Sequence, residues 1–356
     1  MTQDDPLFLR AARGEDTPHA PIWIMRQAGR YLPEYRALKA RHSFWEMVRT
    51  PELAAEVTLQ PITRFGLDAA ILFSDIMTPL PPMGVSIDFD PGPVFERPVR
   101  TREQVEALAV PEEDDLAPFV ADALRLLRAS SSVPVIGFAG APLTLAAYAV
   151  QGGGSKDFAE FRGFLRAEPA AAHALLEKLT EVTLRYLRMQ VAAGAQAVQL
   201  FDSWAGLLDE RNYRAFGLPY AQQVLAGLSG AGAPRIYLAV DASHLLPAIA
   251  ELDVEVVSVD WRRPLSAVRR ALPGKALQGN LDPAALLGPP DDLVTEAERV
   301  LHEGLGGAHV FNLGHGILRQ TDPAAVARLV DVVRGFDRRT AAWRDAAPAR
   351  PEGSRG

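Results

Sequence analysis

Eight short apolar runs recur along the chain, separated mostly by stretches of helical pattern. They are Pro21–Met25, Asp68–Phe73, Val133–Phe138, Ala197–Phe201, Arg235–Val240, Val254–Val259, Lys275–Gln278 and Ala308–Leu313. Each is short and mostly apolar, and Pro21–Met25 is also partly β-branched or aromatic, so each reads as a buried strand. Parallel strands that return through helices must be covered on both sides, which leaves few architectures. Eight such units predict an α/β fold, a single-domain (β/α)8 barrel with its active-site cleft at the C-terminal ends of the strands. A length of 356 residues would permit two domains, yet barrels of this kind reach that size as one. The barrel is expected over residues 1–337, with an Ala-, Arg- and Pro-rich tail, 338–356, expected to fray. The proline-rich stretch from Thr78 to Pro98 is expected to be an insertion over one face.

The expected strand ends carry Arg26, Asp75, the Gly140 turn, Asp202 and Ser203, Asp241, Asp260, Gln278 to Asn280, and Asn312 to His315. That is more polarity than a core requires, although Asp202, Ser203, Asp241, Ser243 and Asp282 also read as caps or turn residues. The first end, within PIWIMRQAGRYLPEYR, is the most informative. Arg26 marks where the chain leaves the core. Gln27-Ala28-Gly29 allows a tight course, with Gly29 able to take backbone angles closed to other residues, so that Arg30 returns near Arg26. Two guanidiniums on one loop form a fork for carboxylates or phosphates. The alternative is a pair of structural ion pairs with Glu34 or a helix C-terminus. From Arg10 to Arg49 there are eight Lys or Arg against four Asp or Glu, in a chain of formal net charge −7. This balance suits a small anionic ligand near the N-terminal segment and argues against nonspecific nucleic-acid binding.

Several chemistries find no support. With no cysteine there can be no disulfide, thiolate nucleophile or sulfur-ligated zinc or iron site. Seven histidines are scattered without His-Glu-x-x-His, so no metal is expected; His309 falls within a strand and reads as a satisfied barrel residue. Gly274-Lys275 lacks the rest of a phosphate-binding loop, Gly304-x-Gly306 lacks its third glycine, and Gly-x-Ser-x-Gly is absent. The N-terminal residues carry acids where a signal peptide needs positive charge, and no run approaches a membrane span. A cytoplasmic protein without membrane partners is the expectation.

Seven collinear blocks, MRQAGRYLPEYR, FSDIMTP, GFAGAPLTLAAY, GGGSKDF, QLFDSWAG, QGNLDP and FNLGHGI, together resemble the uroporphyrinogen decarboxylase family from about Ile22 to Phe336. The resemblance implies a barrel enzyme, usually a homodimer, acting in tetrapyrrole synthesis without metal or organic cofactor. It would convert the four acetates of uroporphyrinogen III to methyls, giving coproporphyrinogen III. The substrate's carboxylates give Arg26 and Arg30 a task, with Gln27 and the backbone at Ala28 and Gly29 assisting. By the same resemblance Asp75 and Arg26 are the catalytic pair: Asp75 would accept the pyrrole N–H groups and stabilise the cation formed when a ring carbon is protonated. Tyr148, Ser203 and His315 are implied to bind substrate, and Phe201 to line the cavity.

Each position also has a plainer reading: Asp75 as a helix cap before Ile76, Tyr148 and Phe201 as core residues, Ser203 as a cap, and His315 as a turn residue. A guanidinium is a poor proton donor, so a bound water or a substrate carboxyl could deliver the proton. Gln151, where an acid is expected, and Asp241-Ala242-Ser243-His244, in place of a glycine-rich stretch, depart from the family pattern. Two other functions compete. A corrinoid- or thiol-dependent methyltransferase of the same barrel superfamily would activate a thiol on zinc held by His and Cys. A noncatalytic tetrapyrrole carrier would need the arginines but not Asp75.

Overall fold

Seven of the eight apolar runs pair side by side in one parallel sheet of the computed structural model, which describes residues 5–88 and 92–341. In chain order the strands are β1 (Ala70–Ile71), β2 (Ile87–Asp88), β3 (Val94–Phe95), β4 (Val135–Gly140), β5 (Ala197–Asp202), β6 (Arg235–Ala239), β7 (Val256–Val259), β8 (Ala276–Leu281) and β9 (His309–Leu313). The sheet runs β1-β4-β5-β6-β7-β8-β9. The antiparallel pair β2 and β3 belongs to the proline-rich insertion, where Val94 also bridges Gly153. Residues 89–91 of that insertion lie outside the described residues. All seven sheet strands are buried along their length, as expected for a sheet wrapped by helices.

The eighth position differs from its expected form. Pro21–Met25 is not a regular strand: Ile22 makes a single parallel bridge to Phe311 on the β9 side, and its carbonyl accepts the Asp68 amide (2.8 Å) on the β1 side. The segment therefore lies between the two edge strands, but side chains replace most of the ladder. Asp68 Oδ2 accepts the Ile22 amide (2.8 Å), Gln27 Oε1 that of Ile24 (3.1 Å) and Asn312 Oδ1 that of Met25 (2.9 Å). A buried amide needs an acceptor of some kind, and here three carboxamide or carboxylate oxygens supply it. The second run is similarly shortened to two strand residues, because Thr58 Oγ1 takes the Phe73 amide at 2.8 Å. Replacing Asp68 by alanine should orphan the fully buried Ile22 amide and cost about 1–3 kcal/mol. Chemical denaturation reads the loss, and an unchanged midpoint would show that the barrel closes without this bond.

Inside the barrel the core is partly polar. Trp23 Nε1 donates to Gln278 Oε1 (2.9 Å), and Gln278 Nε2 donates to Gln199 Oε1 and Ser258 Oγ, both at 3.0 Å. These buried side chains, from β5, β7, β8 and the Pro21–Met25 segment, form one bonded network. Outside, the 24-residue helix Pro169–Ala192 is locked to β4 by Gln190, which bonds both the amide (2.7 Å) and the carbonyl (2.9 Å) of Phe138. The helix expected from Tyr213 to Leu228 is two, Glu210–Phe216 and Leu218–Gly227, since Pro219 has no amide to continue the first. Arg338, the first residue of the expected tail, is buried and donates to the Gly304 and Gly307 carbonyls and to Asp16. Residues 342–356 of that tail lie outside the described residues. Among the described residues no helix is long and apolar enough to cross a membrane.

Candidate active site

The loop after Ile24 sets out one wall of the barrel mouth. The positive φ expected at Gly29 falls instead on Arg26 (φ 62°), while Gly29 is needed because a β-carbon there would stand 3.0 Å from the Arg26 carbonyl. Gln27, expected to assist binding, points inward: it is fully buried, with Oε1 on the Ile24 amide and Nε2 on the Ala69 carbonyl (3.1 Å). Its side chain therefore holds the loop rather than a ligand. The amides of Ala28, Gly29, Arg30 and Tyr31 have no backbone acceptor among the described residues. Arg26 and Arg30 are exposed and make no hydrogen bond or ion pair there either. Glu34, the candidate partner, is taken by Arg64 (2.9 Å from Nε). Two unpaired guanidiniums and a run of amides without backbone acceptors are donors of the kind that carboxylates accept from.

The two arginines are not equivalent. The Arg26 side chain lies over Gly316, where any β-carbon would collide with it, and its charge acts on Asp75, Tyr148 and His315. That of Arg30 acts on the Tyr35 hydroxyl, farther along the rim. Arg26 thus acts on the polar groups at the centre of the mouth, and Arg30 on Tyr35.

Asp75 stands just past β1 at the head of a turn. Its Oδ1 accepts the Met77 amide at 2.9 Å, its own amide points at Thr78 Oγ1 (3.4 Å), and Thr78 Oγ1 also meets Ser74 Oγ (3.0 Å). The cap-like role is therefore real, but it occupies one oxygen; Oδ2 has no hydrogen bond among the described residues. Burial pushes the carboxyl up to about 6, against the opposing pull of the Met77 amide and Arg26. At neutral pH it is an ionised, under-bonded acceptor beside a guanidinium.

Three further polar groups belong to the expected site. Tyr148, half-buried on the helix Pro142–Gln151, is within electrostatic reach of both Asp75 and Arg26. Ser203, immediately after β5, is half-buried, with no hydrogen bond to its hydroxyl among the described residues. His315 Nδ1 accepts the Gly316 amide (2.7 Å), which puts the ring proton on Nε2. Burial, then Arg26 and Arg262, hold its pKa down to about 4, so it is a neutral N–H donor at pH 7. Phe201 is nearly buried, edge-on to Phe138 (5.5 Å between centroids), and belongs as much to the core as to the cavity wall.

The fold adds groups that sequence reading passed over. Trp204 and Phe158 meet at 4.4 Å, and both lie edge-on to Tyr148 at 5.9 and 5.7 Å. Asp202, read as a possible cap, is instead a fully buried hydrogen-bonded carboxylate. Gln151 ends the Tyr148 helix, its carbonyl bonded to Arg100. Asp241 takes a positive φ (55°) and pairs with Arg262 (3.4 Å). Among the described residues no three His, Asp or Glu side chains converge as a metal site would require.

Comparison with known proteins gives the family. The family model for uroporphyrinogen decarboxylase (URO-D) matches residues 3–336. The chain belongs to the uroporphyrinogen decarboxylase family. A uroporphyrinogen decarboxylase of Trichlorobacter lovleyi is 46% identical over 336 residues, covering 93% of this chain and 99% of the relative. Those of Geobacillus kaustophilus (46% over 338 residues; 94% and 98%) and Salinispora tropica (47% over 334 residues; 92% and 90%) are similarly related. Among solved structures, a methyltransferase from Methanosarcina mazei superposes with a TM-score of 0.79 at 22% identity, covering 92% of this chain and 97% of its own. At that identity the likeness speaks for the fold, a barrel that the decarboxylase family shares with methyltransferases.

Proposed function

We propose that the chain decarboxylates uroporphyrinogen III at its four acetate side chains, giving coproporphyrinogen III and four CO2. The observation that carries the reading is the free oxygen of Asp75, set at the barrel mouth beside Arg26 and Tyr148. An ionised acceptor there suits inward-pointing pyrrole N–H groups, and unpaired Arg26 and Arg30 suit the peripheral carboxylates. A proton added to a ring carbon makes the pyrrole a cation, which the Asp75 carboxylate stabilises. The bond to CO2 then breaks, and its electron pair flows into the ring, leaving an exocyclic methylene. A proton at that methylene makes the methyl, and the first ring proton departs. The substrate supplies its own electron sink, so this sequence calls for no cofactor. Tyr148, Ser203 and the His315 Nε2–H serve as neutral donors to acetate or propionate groups.

Anaerobic incubation with reduced uroporphyrinogen and a metal chelator tests the reading. The expected product keeps four carboxyl groups, and recovery of all eight would refute it. The family relationship also supports a homodimer working in the cytoplasm. Sedimentation at micromolar concentration should give twice the chain mass, and a monomer throughout would remove that part of the proposal.

A further inference from the structure

A buried network just below the mouth, which the proposed chemistry never touches, joins the elements that carry two of the binding groups. Asp202, the last residue of β5, accepts the Thr144 hydroxyl on Oδ1 (2.8 Å) and the Tyr237 hydroxyl on Oδ2 (2.7 Å). Tyr237 in turn meets the Tyr213 hydroxyl at 2.7 Å. With its proton given to Asp202, Thr144 Oγ1 accepts the Trp204 amide (3.2 Å). Thr144 lies in the first turn of the helix Pro142–Gln151, one turn before Tyr148, and Trp204 directly follows Ser203. A helix N-terminus favours a neighbouring anion, and an acceptor-only carboxylate dictates which way the Thr144 hydroxyl points.

We infer that Asp202 and Thr144 are positioning residues for substrate, holding the helix of Tyr148 and the turn of Ser203 and Trp204 in one register. The inference rests on the proposed roles of Tyr148 and Ser203 as substrate contacts. The side chains of Asp202, Thr144, Tyr213 and Tyr237 are fully buried, so they act on a ligand only through the groups they hold. The Trp204 ring, edge-on to Tyr148 at 5.9 Å, ties the two held elements together a second time.

Asp202→Asn is the direct variant, but a change at a buried carboxylate can fail to fold, so Thr144→Val, close in shape and without the hydroxyl, carries the test. Thr144→Val should raise KM for uroporphyrinogen about tenfold with kcat within about twofold, and Thr144→Ser should restore the parent KM. Tyr148→Phe should raise KM as well, and the double variant Thr144→Val with Tyr148→Phe should raise it by less than the product of the two single effects, because the Tyr148 contact is common to both. Parent KM in Thr144→Val alongside a raised KM in Tyr148→Phe overturns the inference while leaving the binding role of Tyr148 intact. Multiplying effects in the double variant overturn it as well. If Tyr148→Phe alone changes nothing, the reading of Tyr148 as a contact falls, and the inference falls with it.

Discussion

Asp75→Asn should lose turnover by about two to three powers of ten or more while still binding the porphyrinogen. Asparagine keeps an oxygen for the Met77 amide, so the turn survives, but the negative charge that would meet the pyrrole cation is gone. Stability should move the other way. Burial raises the Asp75 carboxyl from 3.8 to about 6, so the folded state holds that proton more tightly than the unfolded one. Its favourable contribution is complete below about pH 3.8 and is lost as pH rises through 6; at neutral pH the ionised group is a burden. Asp75→Asn should therefore be more stable than the parent at pH 8, by up to about 2 kcal/mol after allowance for partial solvent access, with the gap closing below pH 4. In the parent enzyme kcat/KM should fall on the acid side near pH 6 as the carboxylate is protonated. Parent-like turnover in Asp75→Asn would overturn the catalytic role given to Asp75. A loss of stability at pH 8 would return Asp75 to the role of a cap.

Arg26→Gly should raise KM tenfold to a hundredfold, the worth of a charge-assisted hydrogen bond to a carboxylate, with stability within about 1 kcal/mol of the parent. The reason is again local. Arg26 makes no ion pair among the described residues and sits at φ 62°, a region that costs an L residue about 1–2 kcal/mol and glycine little. Removing the side chain relieves the backbone and breaks no hydrogen bond or ion pair among the described residues, which offsets the packing lost over Gly316. Salt should weaken binding to the parent, and less so to the variant, since one exposed charge is gone. An unchanged KM, or a variant that unfolds early, would mean that the arginine serves the fold.

Residue type and spacing carried the architecture, because a strand covered on both faces must be apolar throughout and a covering helix must alternate; β4 to β9 lie where those patterns predict them. The two arginines and Asp75 were visible for a related reason, since a charge at the end of an apolar run usually faces water or a ligand; Asp202 and Asp260 break that rule, both being buried. What eluded the pattern was every case in which a side chain substitutes for backbone. Pro21–Met25 looks like a strand because it is buried like one, yet Asp68, Gln27 and Asn312, up to 287 residues away in the chain, take the amides that a neighbouring strand would have bonded. Gln27 and Asp202 look like surface polarity and are buried, a distinction that depends on partners no local window contains. The kind of barrel and the chemistry at its mouth thus follow from the order of residue types. Which carboxylate keeps an oxygen open, which arginine reaches it and which aspartate disappears beneath it depend on long-range contacts, since a polar group's state is set by whatever the folded chain brings within hydrogen-bonding distance.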